Sequence, residues 1–170
     1  FNFLYYTGLR KGELFALTWN DVDFDRKTLT VNKQITTKTG TGSYKITSTK
    51  TKNSDGIIYL DDETVDSLKE HYKHECKCYG FNKNWFIFGG LKPISSTTLS
   101  RKLDYYINLS SVKRITAHGF RHSHASLLIY LGCDEYEVAA RLRDTVETVM
   151  NTYYHMFPEK KTVAVNTLNN

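Results

Sequence analysis

Two arginines, a histidine and a late tyrosine stand out in this sequence for the chemistry they allow together. Arg10 lies in Thr7-Gly8-Leu9-Arg10-Lys11-Gly12-Glu13, and His118 and Arg121 lie in His118-Gly119-Phe120-Arg121-His122. Tyr153 lies in Asn151-Thr152-Tyr153-Tyr154-His155, near the end of the chain. Guanidinium groups grip phosphate oxygens bidentately and absorb the charge that develops in a transition state. A tyrosine hydroxyl attacks phosphorus and holds the product covalently. The set suits the breaking of a phosphodiester bond by a tyrosine nucleophile with no metal. Taken singly, each residue has a plainer reading. An arginine near a Gly-Glu is ordinarily a surface ion pair worth little. The three-residue spacing of His118 and Arg121 puts them on one helical face under either reading. Their order along one chain carries the argument.

The composition provides a framework large enough to position them. The chain has 170 residues, of which 40% are hydrophobic and 14% aromatic, enough for the core of one domain. Its formal charge of +5 favours an anionic partner, most simply nucleic acid. No apolar stretch approaches the roughly 20 residues of a membrane span, and no signal peptide precedes the first element. Cys76, Cys78 and Cys133 are odd in number and form no regular framework, which fits a reducing, cytoplasmic setting. His71, His74, Cys76 and Cys78 resemble metal ligands faintly. The helical periodicity of Val65, Leu68 and Tyr72 spreads them around a helix, and their spacing matches no common zinc site. Neither a metal nor a cofactor is expected.

Helices are expected over Phe1 to Tyr6, ended by Thr7-Gly8, and over Lys11 to Leu17. The first begins without a cap, so a natural N-terminal part is expected to precede it. Val22-Asp23-Phe24, Thr28 to Val31, Lys45 to Thr49 and Gly56 to Leu60 read as strand material, with Thr36 to Tyr44 a loop or hairpin tip. They suggest a small antiparallel sheet of about three strands. After Asp61 the pattern is mostly helical. Helices are expected over Asp62 to Tyr79, Ser95 to Ile107, Thr116 to about Leu131, Asp134 to Arg141 and Thr145 to Tyr154. The fold class is α+β, predominantly helical, with the sheet near the N-terminal end.

With these residues in view, the chain closely resembles the catalytic domain of the tyrosine recombinases, the phage-integrase family. Thr7 to Glu13, followed by Leu14 to Trp19, resembles the family's first arginine box. Thr49-Lys50-Thr51-Lys52-Asn53-Ser54 resembles its lysine-bearing β-hairpin, and His118 to Ser126 its His-x-x-Arg box. Asn151 to His155 resembles its nucleophile box, in which the tyrosine stands two residues before a histidine. The similarity runs from about Tyr5 to Pro158. It implies that Arg10 and Arg121 hold the non-bridging oxygens of the scissile phosphate and that Tyr153 attacks to leave a 3′-phosphotyrosine. It implies that Lys50 protonates the departing 5′-oxygen, that His118 transfers a proton or bonds the phosphate, and that Glu13 is a buried partner fixing the arginine helix. The family usually places a histidine or tryptophan after Leu-Gly, ahead of the nucleophile helix. Here the stretch is Leu142-Arg143-Asp144-Thr145, which reads one residue shorter, and Asp144 falls at that sixth position. An ionised aspartate cannot donate to phosphate. It either orients a neighbour or leaves that role unfilled.

The resemblance further implies a site-specific DNA recombinase of a prophage or other mobile element, acting on double-stranded DNA. It implies residues 1–170 as one catalytic domain, with N-terminal core-binding and arm-binding domains absent. It also implies a homotetramer on DNA, with the isolated piece a monomer and the stretch from Lys160 to Asn170 as an exchanged tail. Lys45 and Lys52 compete with Lys50 for the hairpin role. Lys45, Lys52, Arg101, Lys102 and Arg114 are candidates for contact with the DNA backbone. His122, His124 and His155 are possible extra site residues, and Tyr154 is expected to pack. Two alternatives stay open: a type IB topoisomerase-like strand transferase, and a DNA-binding module whose catalysis is impaired at Asp144.

Overall fold

The computed structural model describes residues 1–37, 44–48 and 56–157. Lys50, Lys52 and the stretch 160–170 lie outside the described residues. Helix α1 (Asn2–Thr7) ends at Gly8, whose φ of 62° makes the left-handed stop expected there. A Cβ at Gly8 would come within 2.6 Å of the His124 ring and 2.9 Å of Leu142. The turn therefore needs glycine for close approach as well as for its backbone angle. Helix α2 (Lys11–Ala16) follows at once and buries Leu14, Phe15 and Ala16.

After a short 3-10 turn, Trp19–Asp21, come β1 (Val22–Asp23), β2 (Thr28–Val31), β3 (Lys33–Thr37), β4 (Tyr44–Ser48) and β5 (Gly56–Tyr59). The expected three-stranded antiparallel sheet is present, and a second sheet of two strands accompanies it. Strands β1, β2 and β5 pair antiparallel in that order, and β3 and β4 pair separately. In the larger sheet Leu29 lies opposite Val22 and Ile58. Buried Leu29, Val31 and Ile58 alternate with exposed Thr30, Ile57 and Tyr59, the period of two for a sheet with one covered face. Strand β3 falls partly where a loop was expected, at Thr36 and Thr37. Its sequence has a single apolar residue, Ile35, so it shows no alternation. The strand is specified by pairing, with Ile35 opposite Ile46, and by Ile35 entering the core.

Helices α3 (Asp62–Glu75), α4 (Ser96–Ser110), α5 (Ala117–Tyr130), α6 (Glu135–Leu142) and α7 (Val146–Tyr153) supply the rest. Each starts on an oxygen-bearing cap of the preferred type: Asp61, Ser95, Thr116, Asp134 and Thr145 accept backbone N–H bonds within the first turn. Helix α3 stops at Glu75, short of the Tyr79 expected, and α4 runs on to Ser110. Among the described residues no helix is long and apolar enough to cross a membrane.

The apolar interior forms two clusters. One gathers Leu4, Leu9, Leu14, Leu17, Trp19, Leu29 and Ile58 with α3 and the Phe86-Ile87 segment. The other gathers Ala125, Ile129, Val138, Leu142, Val149 and Tyr153 from α5, α6 and α7. Arginines stitch the two together. Arg121 Nη1 donates to the Gly8 carbonyl at 2.7 Å, and Arg141 donates to the carbonyls of Tyr6 at 2.9 Å and Tyr59 at 2.5 Å. Arg143 Nη2 reaches Glu13 Oε2 at 2.5 Å. The functional candidates lie along this polar seam.

Candidate active site

Arg10 stands just ahead of α2, where the chain leaves the Gly8 turn. Its backbone N–H donates to Glu13 Oε2 at 2.9 Å, and its Nη1 donates to Glu13 Oε1 at 3.0 Å. Glu13 is 1% exposed and also takes the Arg143 bond, so its charge is held by two guanidinium groups. An ion pair at this depth is tolerated only when its hydrogen bonds are satisfied as they are here. Glu13 is thus the buried partner expected for the arginine helix. The Arg10 side chain keeps 34% of its surface in solvent, so its far edge remains accessible.

Arg121 approaches the same place from α5 and is 4% exposed. Besides Gly8, its Nη2 donates to the Leu142 carbonyl and to Asp144 Oδ2, both at 2.9 Å. Asp144 Oδ2 also accepts from Arg10 Nη2 at 2.7 Å. One carboxylate oxygen therefore bridges the two arginines that were expected to share a phosphate. The other oxygen accepts the Thr145 N–H at the entry to α7. Partial burial alone would raise the Asp144 carboxyl, but Arg10, then the Thr145 N–H and Arg121, outweigh it and hold it below the ordinary carboxylate range. The residue is ionised, and it orients neighbours.

Tyr153 closes α7, with only 7% of its surface exposed. Its hydroxyl lies 2.7 Å from His122 Nδ1. Burial pushes the phenol up, Arg121 works against this, and Asp144 adds to it. The hydroxyl is therefore protonated near neutral pH. His118 sits one turn before His122, with ring centroids 4.5 Å apart and edge-to-face. Loss of hydration, then His122, Arg121 and Arg10, push the His118 imidazole down, so it is neutral at pH 7.

The structure thus brings Arg10, Arg121, Asp144, His118 and Tyr153 into one neighbourhood. Lys45 lies exposed on β4, and Arg101 and Lys102 lie exposed on α4. Arg114 pairs with Asp104 at 2.9 Å on the surface. Of the extra histidines, His122 meets the tyrosine, His155 is exposed and His124 is buried beneath Gly8. Tyr154, expected to pack, is instead 69% exposed, because its neighbour Tyr153 takes the inward face of α7. Arg143 is a participant the sequence did not mark. It is buried in the left-handed region, with φ 53°, at the end of α6. Among the described residues no group of three or more His, Cys, Asp or Glu is placed to hold a metal ion.

Comparison with known proteins points one way. A family model described as the phage integrase family matches residues 1–160. The chain is 34% identical over 164 residues to the ICEBs1 integrase of Bacillus subtilis (strain 168), covering 91% of this chain and 44% of that protein. It is 30% identical over 181 residues to a XerC-like tyrosine recombinase of Caldanaerobacter subterraneus subsp. tengcongensis, covering 96% and 46% respectively. The chain spans about half the length of these relatives. The fold is similar to that of the Tn1549 transposon integrase (residues 82–397) in complex with circular intermediate DNA. The TM-score is 0.77 at 21% identity, over 97% of this chain and 56% of that one.

Proposed function

This chain belongs to the phage integrase family, and we propose that it is the catalytic domain of a site-specific DNA recombinase. The observation that carries the reading is the convergence of Arg10 and Arg121 on a single anionic oxygen, with the Tyr153 hydroxyl held nearby between α5 and α7. Two guanidinium groups that already share an anion are preorganised for a phosphodiester, and preorganised charge is the largest contribution an enzyme makes to this kind of transfer.

In this reading the scissile phosphate displaces Asp144 and takes up Arg10 and Arg121. Neutral His118 donates a hydrogen bond to a phosphate oxygen. The Tyr153 oxygen forms a bond to phosphorus while the bond to the 5′-oxygen breaks, and Lys50 supplies the proton that the 5′-oxygen takes. The 3′-phosphotyrosine conserves the energy of the broken bond. A 5′-hydroxyl from a second duplex then reverses the attack and completes strand exchange, without ATP or a metal.

The substrate is double-stranded DNA at the ends of a prophage or similar mobile element, approached by the basic residues Lys45, Lys52, Arg101, Lys102 and Arg114. Assembly is a tetramer on DNA, built from a longer cytoplasmic protein with its own N-terminal DNA-binding domains. The Asp144 bridge supports one other reading, a DNA-binding module whose phosphate seat is filled by its own carboxylate.

The test is covalent capture. Nicked duplexes from a randomised pool are incubated with the chain, denatured, and examined for a protein–DNA adduct. The expected result is an adduct that Tyr153→Phe abolishes while binding persists. DNA binding with no adduct would establish the module instead.

A further inference from the structure

We propose that His122 is the general base that takes the proton of Tyr153, an inference that rests on the cleavage reading above. The phenol oxygen and Nδ1 are 2.7 Å apart, within direct transfer distance. The two rings sit 5.5 Å apart between centroids, on helices α5 and α7 that share one apolar cluster through Ala125 and Val149. The contact is therefore built into the packing of two helices. Among the described residues the Tyr153 hydroxyl has no other hydrogen-bond partner.

The need for a base is physical. A buried tyrosine ionises reluctantly, and a protonated phenol is a poor nucleophile. His118 is the neighbouring imidazole, but its ring contacts His122, and among the described residues it makes no hydrogen bond to Tyr153. Proton transfer from the phenol to His122 Nδ1 needs only the neutral tautomer that carries its hydrogen on Nε2. In the step, the Tyr153 O–H bond breaks and its proton goes to Nδ1. The freed electron pair forms the oxygen–phosphorus bond, and the bond from phosphorus to the 5′-oxygen breaks. That oxygen keeps the pair and takes a proton from the lysine assigned above. In religation the imidazolium returns its proton to the phenol oxygen, so no net proton is consumed.

The titratable group that faces this pair is His118 on α5. Arg121 on α5 and Asp144 before α7 act on the phenol. The turn after α7 contributes Met156, which contacts Ser126 and does not titrate.

The test uses His122→Ala and His122→Asn on a nicked duplex recovered from the pool, with folding checked by circular dichroism. Asparagine keeps an acceptor near the Nδ1 position but takes up no proton. Single-turnover adduct formation at pH 7 should fall about 100-fold or more in both variants, with DNA affinity unchanged. The deficit should narrow by about tenfold per pH unit as alkali ionises the phenol without help. Three results would overturn the assignment: near-parental rates in either variant, a deficit equal at every pH, or recovery by asparagine alone, which would make His122 a positioning residue. An absence of adduct from the parent chain would instead remove the cleavage reading, and this one with it.

Discussion

At Asp144, one carboxylate oxygen serves two arginines. Among the described residues Glu13 pairs with Arg10 and Arg143, while Arg10 and Arg121 share one Asp144 oxygen. A phosphodiester brings one negative charge and must compete with Asp144 for the same two donors. Asp144→Asn should therefore bind DNA more tightly, by roughly fivefold at low salt, with the advantage shrinking as salt rises. Fluorescence anisotropy of a labelled duplex measures this, and weaker binding by the variant would sink the displacement account. Glu13 should behave in the opposite manner. Removing its charge breaks a buried ion pair with Arg143 and a second with Arg10, so Glu13→Gln should cost about 3–5 kcal/mol in urea unfolding. Arg10→Ala takes one of two guanidinium partners from buried Glu13, so it should cost about 1–3 kcal/mol while abolishing the adduct. Arg10, Arg121 and Tyr153 were legible in the sequence because their types and order suit one reaction. The Asp144 bridge was not, since it joins positions 134 residues apart, and no local pattern encodes that contact. Sequence spacing put His118 and Arg121 on one face and left His122 among three extra histidines, without showing which imidazole meets the phenol.

At the level of elements, the turn between α1 and α2 couples stability to the site. Gly8 adopts the left-handed backbone, leaves no room for a Cβ beneath the His124 ring and offers its carbonyl to Arg121. Gly8→Ala adds a Cβ that has no room in a conformation alanine disfavours, so a loss of about 2–4 kcal/mol is expected in urea unfolding. Adduct formation should also fall under conditions where the variant is folded, because the carbonyl that aims Arg121 has moved. Unchanged stability would contradict the close approach seen here. The helix starts were readable because Asp, Ser and Thr caps act locally. Strand β3 was not, because Lys33-Gln34-Ile35-Thr36-Thr37 becomes a strand only through its partner β4 and through Ile35 packing into the core. Lys33 adds a tertiary anchor of the same kind, pairing with Asp21 at 2.7 Å.

Across the whole molecule, two apolar clusters meet through charged seams, and the meeting point makes stability depend on acid in a defined window. His124 is buried where α5 crosses the Gly8 turn, and its Nε2 accepts from Arg141 Nε at 3.4 Å. Arg141 in turn reaches Tyr6 and Tyr59, so this contact helps join α6 to both α1 and β5. An imidazole accepting from a guanidinium must be neutral, and burial, followed by the charge of Arg141, pushes His124 down from 6.5 to about 4. The unfolded chain therefore takes up this proton more readily than the folded one. Stability on this account is full above pH 6.5, declines as pH falls from 6.5 towards 4, and loses nothing more from this group below that. The decline amounts to about 3 kcal/mol by linkage. The exposed His118 shifts in the same direction, whereas Asp61 and Asp144, both held low, lose their contribution only below about pH 3.8. Urea unfolding from pH 7.5 to 4.5 should show the decline in the parent chain and a much flatter profile in His124→Asn, whatever the variant's absolute stability. An equal slope in both would mean that the seam does not hold His124 neutral.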